Sequence, residues 1–196
     1  MNKELLEKLK GLEQRDTETR KKLLREQRLY GTYEEEMQRV HRDNAAELAR
    51  IVSEHGWPGI SKVGVAGCRV AWVIAQHSIC TPQLQKGFLQ ALEKAAKSGD
   101  APMKQVALLT DRIRFHEGMP QIYGTVLDWD ESGQLNCDLE DPENVDARRS
   151  SVGLQPFVQA LEEHRRAVAA EGGKPPADFN AYKEDANLWA KRVGWR

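Results

Sequence analysis

Apolar positions recur three and four residues apart over most of the chain, a spacing that predicts helices. From Asn2 to about Tyr30, leucines stand at 5, 6, 9, 12, 23, 24 and 29 among charged neighbours, so this helix packs on one narrow side. Gly31-Thr32 interrupts the pattern. Thr32 can cap a second helix, with Glu34, Glu35 and Glu36 in the first turn where the helix dipole favours acids. That helix, about 33–55, carries Met37, Val40, His41, Asn44, Leu48, Ile51 and Val52 on one stripe and stops at Gly56-Trp57-Pro58-Gly59. Ser61 can cap a third helix, 62–79, whose Val63, Val65, Val70, Trp72 and Ile74 lie on all sides. Such a helix reads as a buried central one, because no apolar run approaches the roughly 18–20 residues that span a bilayer.

Thr81-Pro82 opens a fourth helix, about 82–98, and 102–117 forms a fifth, closed by Gly118 and Pro120. The period then changes. Residues 121–129 and 134–139 flank Asp130-Glu131-Ser132-Gly133, a hairpin signal. A short helix is expected over 142–149 and another helix from Leu154 to about Ala170, then a Gly-Gly-Lys-Pro-Pro linker and a last helix over 178–192. The expected fold is mainly α: a compact helical domain around a buried central helix, with one small β-hairpin and a charged N-terminal helix. Its divisions are an arm over 1–30, a core domain over 31–170 with the hairpin near 121–139, and a linker with a C-terminal helix over 171–196.

Charge sharpens this picture by its distribution. The 29 basic and 30 acidic side chains nearly cancel, which removes the basic excess expected of a nucleic-acid binder. Residues 1–50 hold 23 of these charges, 51–90 only four, and 91–196 the other 32, so the middle is core and the first fifty residues a solvated or partner-facing layer. There is no signal-peptide pattern at the N-terminus, and Cys68, Cys80 and Cys137 lack CxxC spacing. A cytoplasmic protein with reduced thiols, binding neither nucleic acid nor membrane, is the expectation.

Candidate chemistry lies where polar residues break apolar stripes. Gln76-His77 ends the central helix, and His77 continues the Val70 and Ile74 stripe, which suits a general base or acid whose pKa moves easily through neutrality. His41 and Asn44, three apart, share the inner face of the second helix as either a hydrogen-bond network or a pocket wall. Asp111 stands among apolar neighbours on the fifth helix and needs a partner, which Arg112, Arg69 or a histidine could supply. The junction Gly118-Met119-Pro120-Gln121-Ile122-Tyr123-Gly124-Thr125 offers glycines for close approach and three hydrogen-bonding side chains. Arg148 and Arg149 could bind an anion, or balance the eight acids between Asp128 and Asp146. His116, near a helix end, is expected to be exposed. His41, His77 and Asp111 could bind a metal chemically but lack a characteristic spacing, so no metal and no cofactor is assigned.

The order VHRDNAAEL, GWP, VG…AWVIAQHS, LLTDRI…EGMPQIYGT and VDARRSSVGL resembles a widespread bacterial family of unknown function, number 6624 among such domains, over about residues 30–160. The resemblance implies that His41, Asn44, Gln76, His77, Asp111, Arg112, Gln121, Tyr123, Gly124, Thr125, Arg148 and Arg149 are copies of the family's polar motif residues. It carries no activity.

The functional expectation is a site for a polar or anionic small molecule, performing metal-independent hydrolysis or group transfer. His77 is the acid or base and Asp111 orients it or pairs with Arg112. His41, Asn44, Gln76, Gln121, Tyr123 and Thr125 line the site, and Arg148 and Arg149 neutralise an anionic group. The alternative is a non-catalytic interaction module, with structural polar residues and homo-oligomerisation through residues 1–30.

Overall fold

The structure, a computed structural model, describes residues 1–26, 28 and 33–196. It is mainly α, with eight α-helices and one two-stranded antiparallel hairpin among the described residues. The expected end of the first helix near Tyr30, the Gly31-Thr32 break and the Thr32 cap lie outside the described residues. The chain forms two compact units, Met1–Gln105 and Val106–Arg196. They divide within a helix, not at the composition breaks near residues 30 and 170.

In the N-terminal unit, α1 (Lys3–Arg25) is capped by Asn2, whose side chain accepts from the Leu5 N–H at 3.1 Å. Its Leu5, Leu9, Leu12 and Leu23 are buried, and α1 packs against α2 (Glu35–His55) and α3 (Ile60–His77). The stripe expected to serve as an oligomerisation arm is therefore used inside the unit. Gly67 permits the close approach of α1 to α3, since a Cβ there would lie 2.9 Å from a Leu6 methyl carbon.

The central helix α3 packs on α1, α2 and α4 (Pro82–Lys97). It is not buried all round, because Gly64 at φ 73° kinks it and Val65 is left exposed. Ser61 is not its cap. Asp100 instead accepts from the Ser61 N–H at 2.6 Å and from its hydroxyl at 3.0 Å. By length and composition the stretch Ile60–Cys80 would suffice for a membrane span, contrary to the expectation. It is mostly buried among neighbouring helices, and its Arg69 pairs with Glu13, as suits a core helix. Gln85 of α4 donates to the carbonyls of Ala75 at 2.6 Å and Gln76 at 3.1 Å, and the Ser78 hydroxyl to that of Ile74 at 2.7 Å. These bonds satisfy the end of α3 and fix the position of His77.

The C-terminal unit takes in most of α5 (Met103–Glu117), β1 (Asp128–Trp129), β2 (Leu135–Asn136), α6 (Val145–Ser151), α7 (Phe157–Ala170) and α8 (Phe179–Val193). The hairpin pairs Asp128 with Asn136 and Trp129 with Leu135, and Asp130 closes its turn by accepting from the N–H groups of Ser132 and Gln134. It is shorter than the pattern suggests, because much of the backbone over 121–126 bonds to side chains instead of a partner strand. Residues 178–196 are an integral part of this unit. Lys183 pairs with Asp128 at 2.8 Å, and Trp195 stacks on His116 with ring centroids 5.3 Å apart.

Candidate functional site

Three helices of the N-terminal unit bring Asp16, His41 and His77 together. Asp16 falls four residues after Leu12 on the buried stripe of α1, so its carboxylate points into the helix packing. His41 projects from the inner face of α2, and His77 from the capped end of α3. One oxygen of Asp16, Oδ2, lies 2.6 Å from Nδ1 of His77 and 3.3 Å from Nε2 of His41. The two imidazole centroids are 5.0 Å apart.

The environments differ in a way that suits chemistry. Asp16 and His41 are buried, whereas the His77 side chain is 38% exposed. Burial alone would raise the Asp16 pKa, but the neighbouring imidazoles of His41 and His77 outweigh it and hold the carboxyl well below its ordinary value. Burial pushes His41 below its usual range against the pull of Asp16. On its far side, Nδ1 of His41 makes a short hydrogen bond with the Tyr33 hydroxyl. Its Nε2 is within range of the Asp16 charge but has no aligned hydrogen bond. All four side chains line a cavity of about 190 Å³, whose other walls are Arg20, Leu23, Glu34 and Met37. Arg20 has no hydrogen-bond or ion-pair partner among the described residues.

Asn44 is close by in sequence but occupied structurally, donating to the Leu12 carbonyl at 3.0 Å and accepting from Arg15 at 3.2 Å. It ties α1 to α2. Gln76 is buried, and its carbonyl is held by Gln85.

The remaining expected residues build a second polar cluster, within the C-terminal unit. Asp111, fully buried, accepts from the N–H groups of Ile122 at 2.8 Å, Tyr123 at 3.1 Å and Thr125 at 3.0 Å, and from the Thr125 hydroxyl at 3.0 Å. Burial raises its pKa, opposed by these same bonds. Gln121 accepts from the N–H groups of Thr125 and Val126 and donates to the Val126 carbonyl. Arg148 donates to the Ile122 carbonyl at 2.8 Å and pairs with Asp141 at 3.0 Å, while Arg149 holds the carbonyls of Tyr123, Gly124 and Gln155. Carboxylate on one side and guanidinium on the other thus clamp the two polarities of one loop. Arg112 follows Asp111 in α5, and burial lowers its pKa.

The expectation that Asp111 orients His77 is corrected: the carboxylate on His77 is Asp16, and the oxygens of Asp111 are committed to the 122–125 backbone. The expected anion-binding role of Arg148 and Arg149 gives way in the same manner to carbonyl binding. His116 is not exposed at its helix end but lies against Trp189 and Trp195. A larger hollow of about 410 Å³ in the C-terminal unit is lined by Gln121, Trp129, Asp138, Phe179 and others, but its Asp128 and Asp130 are committed to Lys183, Tyr182 and the hairpin turn.

The family of unknown function DUF6624 matches residues 3–173. The chain belongs to this family. No curated protein and no solved structure matches it. The match takes in both polar clusters of the DUF6624 chain, Asp16 included, and stops ahead of α8.

Sequence reasoning missed Asp16 and Tyr33. The signal for Asp16 was present: it stands on the 5, 9, 12, 16, 23 stripe as a lone acid among leucines, the same kind of break that singles out His41 and Asn44. Tyr33 had no such signal.

Proposed function

We propose that the N-terminal unit carries a small-molecule site at Asp16, His41 and His77, and that its reaction is hydrolysis or group transfer on a polar or anionic compound. The observation behind this reading is the convergence of two imidazoles from different helices on one oxygen of a buried carboxylate, at a cavity. Here a buried acid supports a histidine that is one-third open, the arrangement that keeps an imidazole oriented while its far edge reaches a bound molecule. Arg20 supplies a cation for an anionic group, and Leu23 and Met37 give apolar walls.

Hydrolysis or group transfer needs an activated nucleophile and a place for developing negative charge. The cluster serves the first and Arg20 the second. The cavity suits a small compound, not a polymer. Cys68, Cys80 and Cys137 are in no disulfide, which supports a cytoplasmic setting. A second reading, a non-catalytic interaction module, draws its support from the C-terminal unit, where the motif polar residues are spent on folding a loop.

Thermal-shift screening of small phosphorylated and carboxylated metabolites tests the proposal. A supporting compound raises the melting temperature of the wild-type chain and loses that effect in His77→Gln and Arg20→Ala. Compounds that stabilise all three equally, or none that stabilise any, contradict it.

A further inference from the structure

Asp16, His41 and His77 offer one oxygen and two imidazole nitrogens, all within 4.8 Å of one another. We infer that these three side chains hold a divalent transition-metal ion. The inference rests on this pocket being the working site and names what its floor carries.

The first support is His41. Its side chain is nine-tenths buried, and Nε2 has no hydrogen bond while facing the Asp16 oxygen at 3.3 Å. A buried ring nitrogen is rarely left so, and an ion satisfies its lone pair. The Tyr33 hydroxyl on Nδ1 fits the same assignment: accepting the Nδ1 proton, it leaves Nε2 unprotonated and turned toward the cluster.

Geometry is the second support. Ligands about 2.1 Å from one ion lie roughly 3.0–3.4 Å apart in octahedral or tetrahedral arrangements. Of the separations from the Asp16 oxygen, the 3.3 Å to His41 falls within that range and the 2.6 Å to His77 lies just below it, before any ion draws the groups into place. The donors come from three separate helices, so packing has already met the entropy of assembling them.

The donor set selects the ion class. Two imidazoles and one carboxylate suit zinc, iron(II), cobalt, nickel or manganese, whereas calcium and magnesium favour oxygen ligands. Three protein ligands leave further coordination positions, and the cavity that these residues line has room for water or a substrate oxygen.

The test uses the full chain, freed of metal by a chelator and dialysed against zinc, cobalt or manganese alone, with bound ion measured by mass spectrometry and cobalt by its visible spectrum. One ion per chain is expected. Affinity should fall by more than about 100-fold in His41→Gln and in His77→Gln, since even loss of an outer-shell partner costs 10–100-fold. His55→Gln, at the exposed end of α2, should bind as the wild type does, and circular dichroism should report unchanged helix in every variant. Binding that is absent, or indifferent to His41→Gln and His77→Gln, overturns the inference. A compound that binds the metal-free chain through His77 while no ion binds overturns the ion and leaves the pocket reading. An ion bound through the cluster with no compound retained supports the ion and overturns the pocket reading.

Discussion

Asp16 and His77 stand 61 residues apart in the chain, yet the Oδ2 of one lies 2.6 Å from the Nδ1 of the other. The contact joins the middle of α1 to the end of α3. A carboxylate on a leucine stripe is a cost to packing unless its partners or its function offset it.

That cost gives the first prediction. Asp16→Leu completes the apolar stripe, so the unfolding free energy of the N-terminal unit should stay within about 1 kcal/mol of wild type or rise. Ion and compound binding should both be lost. A structural acid would behave oppositely, with Asp16→Leu strongly destabilising in urea titration.

Asp111 is the contrasting case. Asp111→Ala orphans three N–H groups and a hydroxyl of the 122–125 loop, and should destabilise the C-terminal unit by about 3–5 kcal/mol, given roughly 1–3 kcal/mol for each unsatisfied buried group and partial rescue by water. Thr125→Val removes one donor to Asp111 and should cost only about 1 kcal/mol. Hydrogen exchange at 121–126 checks both, and equal effects would mean that Asp111 is not the centre of the loop.

Gly124 makes the same loop sterically exacting. It sits at φ 63°, and a Cβ there would come 2.7 Å from the Phe157 ring and 2.9 Å from a Leu139 methyl carbon. Gly124→Ala should cost more than about 2 kcal/mol, from left-handed backbone strain plus overlap. A near-neutral result in chemical denaturation would contradict this packing.

The helical class and most helix positions were legible because the 3.6-residue period survives wherever a helix buries one face. The second polar cluster was legible as residues but not as a role. Asp111, Gln121 and Arg149 look the same in a sequence whether they hold a substrate or a backbone, and only the destination of their hydrogen bonds decides. His77 was visible at the end of an apolar helix, while its partner was hidden among the 23 charges of the first fifty residues. Stripe position, not residue type, would have separated Asp16 from its solvated neighbours. The two-residue strands were overestimated because alternation does not reveal that side chains take the backbone bonds.

His116 contributes a pH dependence to the C-terminal unit. Burial, aided by the charges of Arg112 and Arg196, pushes its pKa down to about 3 from an ordinary 6.5. Between those values the unfolded chain binds a proton that the folded unit refuses. This contribution to stability is therefore whole above pH 6.5 and is lost as pH falls toward 3. His116→Phe keeps a ring against Trp195 and Trp189 and removes the titrating group. Its urea midpoint should fall less than that of wild type as the pH is lowered through this window. Parallel acid profiles for the two proteins would assign the loss elsewhere.

The most direct measurement of the central claim is anomalous X-ray scattering from crystals grown with cobalt. A single peak is expected about 2.0–2.2 Å from Asp16 Oδ2, His41 Nε2 and His77 Nδ1, with the cavity side of the ion open. No peak at these three atoms, or a peak held by other residues, would contradict it.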